Sequence, residues 1–83
     1  MNLKKNKIGI LGGSFDPAHK GHLAISKEAT KRFKLKQIIW AITKKNPFKR
    51  ESSKNLLNRI KYCKKIIGKI NFIKIRFYED LIK

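Results

Sequence analysis

The 83-residue chain is short of cysteine, glycine and acidic residues, and these shortages exclude several classes of protein. One cysteine excludes a disulfide scaffold, and five glycines exclude collagen. No apolar run approaches the roughly 20 residues of a membrane span, nor the length of a signal peptide's apolar region. Hydrophobic residues still make up 41% of the chain and fall in compact blocks, which argues against disorder. We therefore expect one small globular unit in the cytoplasm, without a membrane partner.

Because acids are scarce, the chain is strongly basic. It has 22 Lys and Arg against 5 Asp and Glu, which gives a formal net charge of +17. Such a charge is typical of domains that bind nucleic acid or other polyanions. However, 18 of the basic residues are lysine and only 4 are arginine, the residue best suited to base contacts. Generic solvated lysine is the favoured interpretation, and a non-enzymatic polyanion-binding module is the alternative.

Strand and helix patterns alternate in the first half of the chain. Residues 7–11 form a short apolar run before two glycines, which predicts a buried strand that enters a tight turn. From about residue 21 to residue 34, a four-residue period predicts a helix. Its buried face should carry Ile25, Ala29 and Phe33.

The second half of the chain adds a strand, a helix and a third strand. Residues 38–42 are continuously apolar, which predicts a strand covered on both faces. The following helix can be capped by Ser52 or Ser53, and its apolar face includes Cys63, which we expect to be buried. Residues 73–77 alternate between apolar and basic, as in a strand with one wet face.

This βαβαβ order predicts an α/β fold with a parallel sheet and right-handed crossovers. The wholly apolar second strand belongs in the middle, so the predicted strand order is 3-2-1, as in half of a doubly wound sheet. The first strand then has a free edge unless residues beyond Lys83 or a partner chain cover it.

The turn after the first strand carries the residues with the strongest chemical character. Residues 12–22 read GGSFDPAHKGH, and ligands of open α/β sheets bind at such turns. Two glycines allow close approach of the backbone and conformations closed to other residues, and Ser14 adds a hydroxyl donor. His19 and His22 can project from one face of the helix start, where free N–H groups and the helix dipole favour anions. These features predict a cradle for a polyphosphate.

Other chemistries fit this segment less well. Metal binding by the two histidines needs a third ligand, and Asp16 and Glu28 complete no known spacing, so no metal site is expected. Ser14 lacks the G-x-S-x-G surroundings of an acyl-transfer nucleophile. Neither a P-loop nor a G-x-G-x-x-G fingerprint is present. Simple surface exposure of the histidines remains the structural alternative.

The same residues resemble a known superfamily. Residues 19–22 resemble the H-x-G-H signature of nucleotidyltransferases, and GGSFDPAHKGH is most similar to bacterial nicotinate-nucleotide adenylyltransferases. Residues 39–49, IWAITKKNPFK, resemble that family's second strand and its N-P-hydrophobic-K loop. Phosphopantetheine adenylyltransferases usually have Pro before Gly-Ser and Thr for the first His, so they are an alternative that fits less well. The chain thus resembles the amino-terminal part, residues 1–83, of a single Rossmann-like nucleotidyltransferase domain, truncated so that its carboxyl-terminal half is absent.

The resemblance implies transfer of AMP from ATP to nicotinate mononucleotide, which gives deamido-NAD and pyrophosphate in NAD biosynthesis. It implies catalytic roles for His19 and His22, which would hold the ATP phosphates and stabilise the transition state. Mg²⁺ would accompany the ATP phosphates without a dedicated protein site. The implied phosphate-binding residues are Gly12, Gly13, Ser14, Phe15 and Lys49.

The chain is much shorter than the members of the family that it resembles, which usually have roughly 200 residues. The ligand crevice lies between the first strand and the strand that should flank it. Without that wall, water screens the charge-stabilising groups. We therefore expect the 83-residue chain alone to be marginally folded, with little or no adenylyl transfer.

Overall fold

The computed structural model describes residues 7–43 and 53–77, with the side chains of positions 53 and 54 left out. They form five elements in the predicted order. The elements are β1 (Ile8–Gly13), α1 (Lys20–Phe33), β2 (Gln37–Ile42), α2 (Ser53–Ile67) and β3 (Ile73–Phe77). The strands form one parallel sheet in the order β1-β2-β3. The α/β class, the βαβαβ order and the strand order 3-2-1 are therefore confirmed.

The core lies between the sheet and the two helices. β2 is the inner strand, and its Trp40 is paired with Leu11 of β1 and Ile75 of β3. Trp40 and Ile42 are fully buried against residues of both helices. Because α1 and α2 also contact each other, both helices lie on this one face of the sheet.

The opposite face of the sheet is uncovered in the part of the chain that the structure describes. Ile8 and Ile10 of β1 are 51% and 65% exposed on that face, where β3 carries Lys74 and Arg76. The prediction of a buried first strand was therefore wrong. Residues 38–42 are buried as predicted, except that Ile39 is partly exposed. The physical reason is that two successive right-handed crossovers in one direction place both helices on the same side.

The buried face of α1 also differs from the prediction. Ile25 and Phe33 are 55% and 59% exposed, and Ala29 is only partly buried, whereas Ser26 is completely buried. Ser26 faces the sheet because its Oγ accepts a hydrogen bond of 2.8 Å from the indole N–H of Trp40. A buried indole N–H needs an acceptor, and this requirement outweighs the burial of two more apolar side chains.

The helix α2 and the strand β3 follow the prediction. Cys63 is fully buried, and burial raises the pKa of its thiol to about 11 although Arg59 opposes the shift. Gly68 follows the end of the helix with a left-handed φ of 60°. Of the two proposed caps, Ser52 lies outside the described residues and Ser53 begins the helix. No helix within residues 7–43 and 53–77 is long and apolar enough to cross a membrane.

Candidate functional site

The candidate site lies where β1 and β2 end, beside the first turn of α1. The last residues of these strands, Gly13 and Ile42, are register partners, and the Thr43 N–H donates to the Gly13 carbonyl over 2.8 Å. The loop from Ser14 to the helix therefore starts at the carboxyl edge of the sheet, where ligands of open α/β sheets bind. The structure places these predicted residues along one short segment: Gly12, Gly13, Ser14, Phe15, His19 and His22. Lys49 lies outside the described residues.

His19 and His22 cap the helix for each other. The His19 backbone N–H donates to Nδ1 of His22 over 3.0 Å, and the Gly21 N–H donates to Nδ1 of His19 over 3.0 Å. A ring nitrogen that accepts a hydrogen bond has no proton, so each neutral imidazole carries its proton on Nε2. The cap thus makes both Nε2 atoms hydrogen-bond donors, on rings whose centroids are 4.0 Å apart.

The cap also changes which groups can bind an anion. The N–H groups of Gly21 and His22, which the sequence led us to expect free, donate to Nδ1 and to the carbonyl oxygen of His19. That part of the prediction was wrong for these two groups, because the His19 side chain reaches back to the Gly21 N–H and the His19 backbone carbonyl accepts from the His22 N–H. The outward donors are instead the Nε2–H groups of an exposed His19 and a half-buried His22.

The core holds His22 in place through its ring and through its backbone. The Phe15 ring lies 4.5 Å from the His22 ring and stacks on Trp40 at 4.9 Å, centroid to centroid. The Ser26 hydroxyl donates to the His22 carbonyl oxygen over 2.8 Å while it accepts from Trp40. A single buried indole therefore supports both the ring and the main chain of His22.

The left-handed residue of the turn is Phe15, with a φ of 51°. Among the described glycines only Gly68 has a positive φ. The prediction that Gly12 and Gly13 adopt conformations closed to other residues was therefore wrong. A non-glycine residue persists in this region only where its surroundings hold it, and the Phe15 side chain is buried. Gly12 does leave open space, because a Cβ there would meet only the Ala41 carbonyl oxygen at 4.0 Å.

Arg59 of α2 contributes to the site and was not predicted from the sequence. It is only 5% exposed, and its Nη1 donates to the carbonyl oxygens of Ser14 at 2.5 Å and Thr43 at 2.7 Å. A signal was present, because Arg59 lies three residues after Leu56 and four before Cys63, on the apolar face of the helix. A basic residue on such a face is unusual enough to mark a specific partner.

Burial lowers the pKa of His22 below its ordinary 6.5, and the neighbouring His19 lowers it further, while a backbone hydrogen bond opposes the shift. The folded chain therefore favours the neutral ring of His22. This agrees with the acceptor role of its Nδ1, which protonation would end.

Acidification should therefore weaken the fold. Because the folded pKa of His22 is lowered, its favourable contribution is complete above the unfolded pKa of 6.5 and is lost as pH falls through the folded value. We expect the free energy of unfolding, measured in urea, to decrease from about pH 7.5 to about pH 5.5. His22→Gln keeps an acceptor for the His19 N–H but cannot titrate, so its decrease should be smaller. Equal decreases in both proteins would show that His22 is not the titrating group.

Gly21→Ala should separate the position of the His19 ring from the stability of the fold. A Cβ at Gly21 would lie 2.7 Å from Cε1 and 2.8 Å from Nδ1 of His19, so the ring must move. Alanine is favoured over glycine within a helix by about 1 kcal/mol, which offsets the lost cap. We expect nearly unchanged unfolding in urea but a clear loss of affinity for inorganic tripolyphosphate in calorimetric titration. Ala24→Gly, on an exposed position of the same helix, is the control. It should lower stability and leave the affinity unchanged.

An open parallel sheet of three strands joined by two helical crossovers, with a candidate site at its carboxyl edge, defines a Rossmann-like α/β protein. Residues 10–81 match the model of the cytidylyltransferase-like family. The chain belongs to that family.

Individual relatives indicate which members of the family the chain is similar to. The chain is 68% identical over 82 residues to the probable nicotinate-nucleotide adenylyltransferase of Pelagibacter ubique, an alignment that covers 99% of this chain and 46% of the relative. Its identity to the protein of the same name from a Ruegeria species is 47%, over 72% of this chain and 32% of the relative. For the protein of that name from a Nitratiruptor species it is 42%, over 88% and 41%. The resemblance seen in the sequence is confirmed, and the chain spans less than half the length of these relatives.

Proposed function

We propose that this chain is the nucleotide-binding part of an enzyme that transfers AMP from ATP to nicotinate mononucleotide. The products are deamido-NAD and pyrophosphate, so the reaction belongs to NAD biosynthesis. The observation that carries the proposal is the reciprocal cap, which gives both His19 and His22 an Nε2–H donor beside the carboxyl edge of the sheet. The relatives from Pelagibacter and Ruegeria are both named as probable nicotinate-nucleotide adenylyltransferases. Since ATP is a substrate, the proposal also implies a cytoplasmic location.

The residues of the site would act by position and charge. A phosphate oxygen of the mononucleotide attacks the α-phosphorus of ATP, and the bond from that phosphorus to the bridging oxygen breaks. Pyrophosphate leaves with the electron pair, so negative charge grows on its oxygens. The Nε2–H groups of His19 and His22 would donate to these oxygens, and such fixed donors stabilise a transition state more than the ground state. No covalent enzyme intermediate is required.

Lys49, which follows β2 in the sequence, is proposed as the contact to substrate phosphate. Gly12, Gly13, Ser14 and Phe15 would supply backbone and hydroxyl donors to ATP. The open space at Gly12 supports this role, because a phosphate can approach the main chain there.

Mg²⁺ belongs to the substrate in this proposal. Within residues 7–43 and 53–77, no group of three His, Cys, Asp or Glu side chains could hold a metal ion. The donors at the site, imidazole N–H and backbone N–H, suit phosphate oxygens rather than a hard cation. ATP is therefore taken to bind as its magnesium complex, with the ion on the phosphates.

The proposal is tested by exchange of the corresponding segment in the Pelagibacter relative, which is 68% identical over 82 residues. The chimera supplies the remaining length and should release pyrophosphate from ATP and nicotinate mononucleotide within about tenfold of the parent's rate. His22→Ala in the chimera should reduce kcat by about 10²–10³, as for other single donors to a developing charge. Lys27→Ala, an exposed change on the same helix, should leave the rate unaltered.

Four outcomes would count against the proposal. A folded chimera that forms no deamido-NAD, or that is equally active without His22, would contradict it. Adenylylation of phosphopantetheine or glycerol phosphate in preference to the mononucleotide would indicate another nucleotidyltransferase. Salt-sensitive binding of the 83-residue chain to duplex DNA that survives loss of both histidines would favour the polyanion-binding module.

A further inference from the structure

We propose that Arg59 is a positioning residue that fixes the phosphate-binding loop in its donor conformation. The inference rests on the proposed function of the same site, and it concerns a residue outside the segment that carries the motif. Arg59 comes from α2, 45 residues beyond Ser14 in sequence, and reaches the loop with a side chain that is 5% exposed.

Arg59 completes a closed ring of hydrogen bonds between the ends of β1 and β2. The Thr43 N–H donates to the Gly13 carbonyl over 2.8 Å. The Thr43 carbonyl accepts from Nη1 of Arg59, which also donates to the Ser14 carbonyl. The Gly13 carbonyl is therefore bonded to Thr43 directly, and the Ser14 carbonyl is linked to Thr43 through Arg59.

The direction of the Ser14 carbonyl decides the direction of the next N–H group. In a trans peptide the C=O and the following N–H point in opposite directions. The only cis bond in residues 7–43 and 53–77 is that between Asp16 and Pro17, so the Ser14–Phe15 peptide is trans. Because Arg59 holds the Ser14 oxygen toward α2, the Phe15 N–H points away from α2. It makes no backbone hydrogen bond to another described residue.

Phe15 is also the residue that connects the loop to the histidines. Its ring contacts the His22 ring at 4.5 Å between centroids, and its φ of 51° bends the chain toward the helix. A loop held only by Phe15 packing could still rotate the Ser14–Phe15 peptide. The Arg59 bonds oppose that rotation, so they keep the Phe15 N–H turned away from α2 and available to an anion.

Arginine suits this task better than lysine because of its reach and its shape. The Nζ of lysine lies about one bond length short of the position of Nη1 and lacks the fixed plane of the guanidinium. Arg59→Lys therefore keeps a positive charge on α2 but not both carbonyl bonds. This variant separates a positioning role from a purely electrostatic one.

The experiment is titration of the 83-residue chain and its Arg59→Lys variant with ATP and with inorganic tripolyphosphate, a probe without a base. We expect the affinity for both probes to fall about tenfold in the variant, as for a displaced donor to a charged group. Arg32→Lys is the matched control, since Arg32 bonds Glu28 on the exposed surface of α1 and should show no change. Urea unfolding of each protein reports whether the fold is retained.

A second readout needs no variant. On addition of tripolyphosphate to the wild-type chain, the backbone amide signal of Phe15 should show one of the largest NMR shifts. A folded Arg59→Lys variant with wild-type affinity would overturn the inference, and so would an unmoved Phe15 amide. If neither the wild-type chain nor the chimera binds either probe in a manner that depends on His22, then the proposed function itself is wrong. If binding depends on His22 but not on Arg59, only the present inference fails.

Discussion

The affinity of the chain for ATP is expected to fall about 10- to 100-fold when His22 is replaced by alanine, because hydrogen bonds to charged groups contribute about 1.5–3 kcal/mol. The change removes an Nε2–H donor and also the acceptor of the His19 N–H, so the neighbouring ring loses part of its support. Calorimetric titration of both proteins with the magnesium complex of ATP measures the effect.

His22→Gln is the control for the capping part of this effect. Its carbonyl oxygen can accept from the His19 N–H and preserve the helix start, while its amide NH₂ donor is displaced from the position that the imidazole Nε2–H occupies. We expect glutamine to restore most of the stability and little of the affinity. Equal ATP affinity in the wild type and in both variants would mean that His22 does not touch the nucleotide.

Trp40→Ala should have the largest effect on stability. The indole is fully buried on the inner strand, and removal of a buried Trp side chain costs about 3–5 kcal/mol. Small domains have only about 5–15 kcal/mol in total, and this one is expected to be marginal, so we predict a mostly unfolded chain at about 25 °C. Urea unfolding should be followed by circular dichroism, because the variant lacks the only tryptophan and therefore its fluorescence.

Two further variants separate the parts of this effect. Trp40→Phe retains the stack with Phe15 but leaves Ser26 without its indole donor, so it should cost only about 1–3 kcal/mol. Phe33→Ala removes an aromatic ring that is 59% exposed and should be close to neutral. If Trp40→Ala behaved like Phe33→Ala, the proposed core would be wrong.

Most of the fold was predictable because the pattern of apolar residues identifies each element, and the order of the elements along the chain indicates the topology. The wholly apolar residues 38–42 identified the inner strand, and alternation in residues 73–77 identified the half-exposed edge strand. Burial was harder to predict. The four-residue period chose Ile25 and Phe33 for the inner face of α1, but the indole N–H of Trp40 required Ser26 there. Side-chain hydrogen bonding between elements is not visible in hydrophobic periodicity.

The site was predictable to a similar degree. The spacing of His19 and His22 indicated rings on one face, and the structure does bring their centroids within 4.0 Å. The reciprocal cap was not predicted, because histidine is not among the usual capping residues. Arg59 was missed because it lies far from the motif in sequence. Its partners are backbone carbonyl groups, which every residue has, so the sequence does not identify them.

The central claim is that the cap fixes both imidazoles as Nε2–H donors that meet a polyphosphate. Selective ¹⁵N labelling of histidine gives a simple NMR spectrum, because the chain has only two histidines. At about pH 7.5, above the ordinary pKa of histidine, each Nδ1 should have the shift of an unprotonated nitrogen and each Nε2 that of a protonated one. Addition of ATP should move both Nε2 signals. Protonated Nδ1 atoms, or Nε2 signals that ATP leaves unchanged, would contradict the account.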